Sequence, residues 1–459
     1  MKLNLLFILI VTTIGLSFNS LGNELASPKD TTTKLFDRAG ALLLIDDARL
    51  LYNEGKVKDA LNLFREAAAK DPNNWRAPYW ISNCHYNMSN YGFALKYAKE
   101  ALRIDPKEVD KDVYEMIGQA FHQIGQIDSA LANYTKALAK VTPTRAKELR
   151  IAEKIEQCNF VKSQLGELKT PIRTRLQGDV NSGFNEYGAL LTKGGKILYF
   201  TSRRSNTKGG KANPDDQEYF EDIYRADWND SEQKWDSVTN DIDRINTEGF
   251  DAFTFISNDG LYALLTLNTA MTDVSKQTQS SDICEVQFTD KGKWSSPKII
   301  KNKTINTSFY DGSATVTADG STMYFVSDRK GDKRSTDIYM VKKNGKKWGV
   351  AEQLTDSINT IGRETTPVIS ADGRYLFFSS DGHAGMGGLD VFVSENLGGN
   401  KWTKPKNLGA LINTVNNDTH FSYYPEFKKA FLTTYEIVGQ KSSMDIYEID
   451  MSNFILPKF

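Results

Sequence analysis

Residues 359–392 read NTIGRETTPVISADGRYLFFSSDGHAGMGGLDVF, and the pattern in this stretch recurs through the C-terminal two-thirds of the chain. Asn359 is followed by a threonine, and an acidic residue, Glu364, stands five positions after the asparagine. Segments of alternating apolar and polar residues follow, and Asp390 with Val391 opens another. Alternation with a period of two indicates β-strands, here joined by turn residues.

This signature occurs five times. The asparagine and acid pairs are Asn181/Glu186, Asn246/Asp251, Asn306/Asp311, Asn359/Glu364 and Asn413/Asp418. The later aspartate and aliphatic pairs are Asp222-Ile223, Asp282-Ile283, Asp337-Ile338, Asp390-Val391 and Asp445-Ile446. The asparagines are spaced by 65, 60, 53 and 54 residues. Self-similarity at this period is typical of stacked or radial repeat proteins, most of which present binding surfaces.

Each copy contains enough sequence for four short strands. In the fourth copy the predicted strands are 365–370, 375–379, 390–395 and 402–408. Gly373 supplies the positive φ angle of the tight turn between the first two. Four strands per copy predict the blade of a β-propeller.

The fifth copy lacks an outer strand, because the chain ends soon after Met451. Leu176 precedes Asn181 by five residues, as Leu408 precedes Asn413. Residues 171–176 are therefore predicted to supply the missing strand and to close the ring. This gives five blades. Six is the alternative, if 205–220 or the extreme C-terminus contains a degenerate unit.

Helical periodicity extends from residue 35 to residue 166. Small and aromatic residues recur there in three copies, offset by 34 and then 36 residues. The first copy contains Ala48, Leu51, Gly55, Ala60, Phe64, Ala67 and Pro72. This pattern resembles the tetratricopeptide repeat family, with 145–165 as a single capping helix. The resemblance implies a concave groove for a partner peptide or helix. The alternative is that the helices only brace the following domain.

The predicted fold is therefore a multidomain α and β chain. An α-solenoid of about three tetratricopeptide repeats occupies 35–166, and a β-propeller occupies 170–455. The first 22 residues have a positive start and a short apolar stretch, which predict a secretory signal peptide. A retained N-terminal anchor is the alternative. The three cysteines, Cys84, Cys158 and Cys284, are predicted to be small buried residues without a disulfide.

The net charge of −1 excludes a strong global attraction to nucleic acid or to anionic membranes. No cofactor or metal motif is present, and the four histidines lack metal-ligand spacing. We predict that the chain is not an enzyme. The remaining catalytic possibility is a hydrolase whose carboxylate pair would come from the repeated acids.

The repeated acids are candidate binding residues. They are Glu186, Asp251, Asp311, Glu364 and Asp418. Placed at the start of each innermost strand, they would ring one mouth of the central channel and attract a cation or a basic peptide. The favoured alternative is structural, with each acid bonded to the backbone or a hydroxyl of the next blade. The aspartates before Ile or Val are predicted to cap backbone N–H groups.

Segments that interrupt the repeat are further candidates for recognition. The insertion 203–221 carries Arg203, Arg204, Lys208 and Lys211, followed by an acidic cluster. The second interruption is 269–281. The third is the glycine-rich segment 382–388, which contains His383 but lacks the lysine and helix of a phosphate loop.

The Ser-Ala-Asp-Gly turn at 370–373, the aromatic strand and the Asp-Val-Phe run at 390–392 resemble TolB-type, WD-repeat-like propellers. With the signal peptide and helical repeats, the chain resembles the N-terminal portion of the PorE family of type IX secretion envelope proteins. Those proteins continue into an OmpA-like domain, whereas this sequence ends at Phe459, so direct peptidoglycan binding is not expected.

These resemblances imply an exported, periplasmic or outer-membrane-associated scaffold. Its partners would be envelope proteins, bound by the helical groove and by a propeller face. No transmembrane helix is expected in the mature chain. The alternative function is a carbohydrate- or peptide-binding propeller.

Overall fold

The computed structural model describes residues 35–165, 172–192, 194–213, 218–268, 281–330, 335–438 and 441–459. The predicted signal peptide lies outside these residues. So do the acidic residues Asp215 and Asp216 and all of the 269–281 insertion except Ser281.

Eight helices form the N-terminal part of the described chain. They are α1 Leu35–Asn53, α2 Val57–Lys70, α3 Arg76–Asn87, α4 Tyr91–Ile104, α5 Val113–Gln123, α6 Ile127–Lys140, α7 Pro143–Glu148 and α8 Ile151–Leu165. The first six pack as three consecutive pairs. Ala60, Ala94 and Ala130 at the repeat positions are fully buried, so the two helices of each pair approach closely. The predicted α-solenoid of three repeats is confirmed.

The predicted capping helix over 145–165 is wrong in one respect, because two helices occupy this range. Thr142 caps α7 by accepting a hydrogen bond from the Arg145 N–H, and Pro143 stands in its first turn. The helix then stops, because Arg150 adopts a left-handed φ of 51°. The chain turns there and α8 begins.

Five antiparallel sheets follow, each with four or five strands. The first blade contains β2 Glu186–Leu191, β3 Ile197–Ser202, β4 Asp222–Asn229 and β5 Lys234–Thr239. The second contains β6 Phe250–Ile256, β7 Tyr262–Asn268, β8 Asp282–Gln287 and β9 Lys298–Ile299. The third contains β10 Asp311–Val316, β11 Thr322–Ser327, β12 Asp337–Asn344, β13 Lys347–Trp348 and β14 Glu352–Gln353. The fourth contains β15 Glu364–Ile369, β16 Tyr375–Ser380, β17 Asp390–Gly398, β18 Lys401–Trp402 and β19 Lys406–Asn407. The fifth contains β20 Thr419–Tyr424, β21 Lys429–Val438, β22 Lys441–Asp450 and β1 Arg173–Arg175. The five-bladed propeller is confirmed.

Strand β1 closes the ring. It pairs antiparallel with β22, and Thr174 lies opposite Glu448. The side chain of Arg175 donates to buried Asp445 at 2.6 Å. The predicted closing strand is therefore confirmed, and the described residues contain no sixth sheet.

Apolar cores lie between neighbouring sheets. In one of them Phe200 and Tyr224 of the first blade pack with Phe431 and Ile446 of the fifth. Contacts of this kind hold the blades face to face. The three cysteines are buried free thiols, as predicted. Every described helix is too short or too polar to span a bilayer.

Candidate functional site

The asparagine of each signature joins two neighbouring blades. Asn246, in the segment leading into the second blade, accepts from the N–H of Ile223 at 2.8 Å and donates to its carbonyl at 2.9 Å. Ile223 lies on the third strand of the first blade. The same reciprocal pair of bonds joins Asn181 to Ile446, Asn306 to Ile283, Asn359 to Ile338 and Asn413 to Val391. The repeated asparagine is therefore the blade-to-blade connector.

The acid of each signature bonds within its own blade. In the second blade Asp251 accepts from the Thr247 N–H at 2.6 Å and from the Thr247 hydroxyl. The equivalent pairs are Ser182 with Glu186, Thr307 with Asp311, Thr360 with Glu364 and Thr414 with Asp418. All five acids are 0% exposed. The expectation that each acid bonds to the next blade is therefore wrong, and no ring of open carboxylates faces the channel.

Two arginines complete this internal network. Arg204 donates to Glu186 at 3.2 Å and to the carbonyl of Val180. Arg329 lies 2.7 Å from Asp311. Glu186 and Asp311 are thus each paired with an arginine of their own blade.

The other basic residues of the 203–221 insertion differ in their contacts. Arg203 donates to the Tyr219 carbonyl at 2.6 Å, and its side chain is 11% exposed. Lys208 donates through Nζ to the Asn246 carbonyl at 2.8 Å. Lys211 is exposed. Three of the four predicted cations therefore stabilise the propeller, and ligand binding by these residues stays a prediction.

The glycine-rich segment 382–388 forms part of the contact between the two domains. Met386 is buried among side chains of α6 and α8. Its carbonyl accepts from Nε2 of His122 at 2.8 Å. Gln157 donates to the neighbouring Gly387 carbonyl at 2.9 Å. The segment is therefore built into an intramolecular interface.

His383 packs into the fourth blade, from which the 382–388 segment extends. Its Nε2 lies 2.8 Å from the Ile358 carbonyl, and its ring packs 5.3 Å from Phe392. Asp390 accepts from the backbone N–H of Met386 at 2.7 Å, as predicted for an aspartate beside a turn. The contacts of His383 lie within the protein.

A series of bulges surrounds the central channel. Four first strands shift register two residues after their acid. The residues there adopt left-handed φ angles, at Gly188 (69°), Ser313 (49°), Thr366 (46°) and His420 (51°). Such angles are uncommon outside glycine and often mark functional positions. The bulges turn these residues toward the channel.

A cavity of about 320 Å³ occupies one end of the channel. Strands of the first, second, third and fifth blades contribute to its wall. Its aromatic lining consists of Tyr187, Phe250, Phe253 and Tyr310. Its polar lining consists of Thr201, Glu221, Thr254, Thr266, Asn268, Ser281, Ser313 and His420. A volume of this size lies within the range of small-molecule sites.

The cavity wall contains two titratable rings that are neutral at pH 7, Tyr187 and His420. Burial raises the pKa of Tyr187 well above its ordinary value, and the Glu221 carboxylate raises it further, whereas Arg203 lowers it. Burial lowers the pKa of His420 to about 4, so its imidazole is neutral at pH 7. Its Nδ1 lies 2.9 Å from the Thr419 hydroxyl, and its Nε2 has no partner among the described residues.

The helical array presents a second surface. Tyr52 on α1 meets Trp80 on α3 edge to face at 5.5 Å, and the Arg49 guanidinium lies 5.3 Å from the same indole ring. Arg76 and Asn83 lie seven positions apart on α3, and therefore share one helix face. These residues are partly or fully exposed. The first two repeats thus present cations and aromatic rings together.

The third repeat differs because the terminal helices cover its acids. Asp112 pairs with Arg145 of α7 at 2.6 Å. Buried Glu115 pairs with Lys154 of α8. The first two repeats consequently leave open the aromatic rings and the cations Arg49 and Arg76, with exposed Asp46 paired to Arg49 at 3.6 Å.

No group of three or more potential metal ligands occurs among the residues that the structure describes. Burial lowers the pKa of both His122 and His420 to about 4.

Comparison with known proteins identifies the helical part. The tetratricopeptide repeat family matches residues 45–109. The helical region is a tetratricopeptide-like repeat array. No curated protein matches the chain.

Three similar solved structures each cover between 26% and 29% of this chain. The first tetratricopeptide domain of Spaghetti (RPAP3), bound to an HSP90 peptide, is 19% identical with a TM-score of 0.23, covering 26% of this chain and 96% of that one. The Yersinia enterocolitica type III secretion chaperone SycD, in complex with a peptide of the translocator YopD, is 20% identical with a TM-score of 0.26, covering 28% and 99%. YrrB, described as having an unusual peptide-binding site, is 22% identical with a TM-score of 0.24, covering 29% and 70%.

Sequence reasoning missed most of the residues that line the channel cavity, although Glu221 and Ser281 lie in the predicted interruptions 203–221 and 269–281. Tyr187, Phe250 and Tyr310 each stand directly beside a repeated acid. His420 stands two residues after Asp418. These neighbouring positions differ from blade to blade, whereas the acid recurs in every blade. The variable neighbours, and not the acids, could therefore have indicated the cavity.

Proposed function

We propose that this protein is a non-catalytic scaffold of the cell envelope, periplasmic or associated with the outer membrane. The helical array binds a segment of one envelope protein, and the propeller holds a second partner. The observation that carries this proposal is the open basic and aromatic surface of the first two helical repeats.

The chemistry of that surface favours a particular kind of segment. Arg49 is exposed beside Trp80, where it also pairs with exposed Asp46 at 3.6 Å, and Arg76 is exposed on the same helix as that indole. Cations beside aromatic rings attract carboxylates and also pack against apolar side chains. The partner segment is therefore expected to carry acidic and apolar side chains together.

The contact between the domains supports a scaffold role. The Met386 and Gly387 carbonyls accept hydrogen bonds from His122 and Gln157. Tyr91 of α4 packs 6.3 Å from Tyr435 of the fifth blade. Two binding surfaces connected by buried contacts would keep their partners in a fixed relative geometry.

The envelope location rests on the sequence. The apolar N-terminal stretch resembles a signal peptide, and the order of domains resembles the PorE family. Membership of a type IX secretion assembly is the finer form of the proposal. The TolB-like turn and strand pattern of the blades is consistent with it.

Charge reversal on the helical surface tests the scaffold proposal. Native and Arg49→Glu/Arg76→Glu proteins would be expressed with an affinity tag in the source organism and cross-linked in intact cells. The same envelope protein should be recovered with native protein and reduced about tenfold with the variant, because two attractive charges become repulsive. Arg65→Glu/Lys136→Glu, on the outer helices α2 and α6, makes the same change in net charge and should recover it normally. Equal recovery by all three proteins would overturn the proposal.

A further inference from the structure

We propose that the cavity in the propeller channel is a binding site for a neutral polyhydroxylated compound of the size of a small saccharide. This is a small-molecule site, separate from the surface of the helical array that is proposed to bind a partner. Four blades contribute to it, and its residues come from positions where the repeat varies.

The shape of the cavity suits one small ligand. Its volume is about 320 Å³, and a smaller cavity of about 30 Å³ adjoins it, because both are lined by Phe253, Thr254 and His420. The smaller cavity is also lined by Pro367, Val368 and the bulged residues of four blades. The larger cavity therefore has room for one small ligand, and the smaller cavity does not.

The lining combines flat apolar surfaces with many hydrogen-bonding groups. Tyr187, Phe250 and Tyr310 offer aromatic faces or edges to C–H groups. The polar side chains between them are hydroxyls and an amide, namely Thr201, Thr254, Thr266, Asn268, Ser281 and Ser313. A ring with apolar faces and hydroxyl groups at its edge satisfies both kinds of surface.

His420 supplies the strongest single indication of a ligand. Its ring packs 5.1 Å from the ring of Tyr187 and lines the cavity. Nε2 has no partner among the described residues, whereas Nδ1 is held by Thr419. The backbone N–H of His420 is bonded to the Thr366 hydroxyl, so the left-handed residue is held in place. A ligand hydroxyl could bond to Nε2 directly.

The low charge of the described lining separates this ligand class from others. Glu221 is the one acid among the described lining residues, and the Arg203 guanidinium lies outside the lining, 5.7 Å from the ring of Phe250. No lysine or arginine lines the cavity among the described residues, which disfavours phosphates and other anions. A single carboxylate is also a weak site for a cation.

Binding should be measured on the full mature chain by saturation-transfer NMR and calorimetry. The probes are glucose, galactose, N-acetylglucosamine, maltose and cellobiose at millimolar concentrations, with glucose 6-phosphate and lysine amide as charged counter-probes. The expected result is saturable binding of at least one neutral sugar and weaker binding of both counter-probes. Binding by the counter-probes alone, or by none of the neutral sugars, would overturn the proposal.

Variants locate the site. Ala252→Leu fills the cavity and should weaken binding by about tenfold or more. Ala139→Leu, exposed on α6, adds the same atoms elsewhere and should leave binding unchanged. His420→Asn retains a residue type that tolerates the left-handed conformation but shortens the side chain, and should weaken binding by roughly threefold to tenfold. Unchanged affinity in both cavity variants, with folding verified by circular dichroism, would place the sugar elsewhere and refute the assignment.

Discussion

Asn181 bonds both backbone groups of Ile446, although the two residues lie at opposite ends of the propeller sequence. Oδ1 accepts from the Ile446 N–H at 2.8 Å, and Nδ2 donates to its carbonyl at 2.9 Å. Nδ2 also donates to the Leu176 carbonyl at 3.1 Å. One buried side chain therefore connects the closing strand, the last blade and the segment leading into the first blade.

Asn181→Ala should lower the free energy of unfolding of the propeller by about 2–4 kcal/mol, because three buried backbone groups lose a partner. Denaturant titration measures this loss. Hydrogen exchange should also accelerate at the Leu176 amide, which bonds to Ile446 beside the asparagine. Asn87→Ala, on the exposed face of α3, should change stability by less than about 0.5 kcal/mol. Equal effects of the two substitutions would contradict the connecting role.

Gly387→Ala should destabilise the packing of the 382–388 segment against the segment that leads into the fifth blade. An added Cβ would collide with the backbone carbonyl of Val415, which cannot move away as a side chain could. The expected loss is about 1–3 kcal/mol, with a lower melting temperature. Gly183→Ala is the matched control, because its Cβ would meet nothing within 4 Å. A melting temperature as high as that of the control would show that the 382–388 segment is loosely packed.

His122 should make stability depend on pH. Burial lowers its pKa from 6.5 to about 4 in the folded protein. The unfolded chain therefore binds a proton first as the pH falls below about 6.5, and this contribution to stability is lost between pH 6.5 and 4. The loss between pH 7 and pH 5 should reach about 2 kcal/mol from this residue.

His122→Gln isolates that contribution, since an amide can still donate to the Met386 carbonyl but does not titrate. The difference in unfolding free energy between native and variant proteins should shrink or reverse from pH 7 to pH 5. The other buried titratable groups are shared by both proteins and cancel in the comparison. A difference that is independent of pH would mean that His122 does not titrate in this range on unfolding.

The architecture was predictable because its cause is local and repeated. The spacing from Leu176 to Asn181 predicted the closing strand, and the same backbone contact recurs from Asn359 to the Leu354 carbonyl. The five asparagines at the same position of the repeated signature also predicted five blades. Alternation and turn residues located the inner strands because these depend on neighbours close in sequence.

The binding surfaces were harder to predict because their contacts are not local. The cavity joins Tyr187 to His420 through ring closure, across most of the propeller sequence. The break between α7 and α8 depends on the left-handed conformation of Arg150. Arginine has no preference for this conformation, so the sequence did not predict the break. The sequence favoured a structural role for the repeated acids, but it did not show that their partners would be serine, threonine and arginine side chains of their own blades.

Site-specific photo-cross-linking in living cells tests the scaffold account most directly. A photoreactive residue at Asn83, on the face of α3 that also carries Arg76, should give one discrete adduct with an envelope protein, and Arg49→Glu/Arg76→Glu should abolish it. The same photoreactive residue at Lys136 on the outer helix α6 should give none. An absence of adducts from Asn83, or identical adducts from both positions, would contradict a binding role for the helical surface.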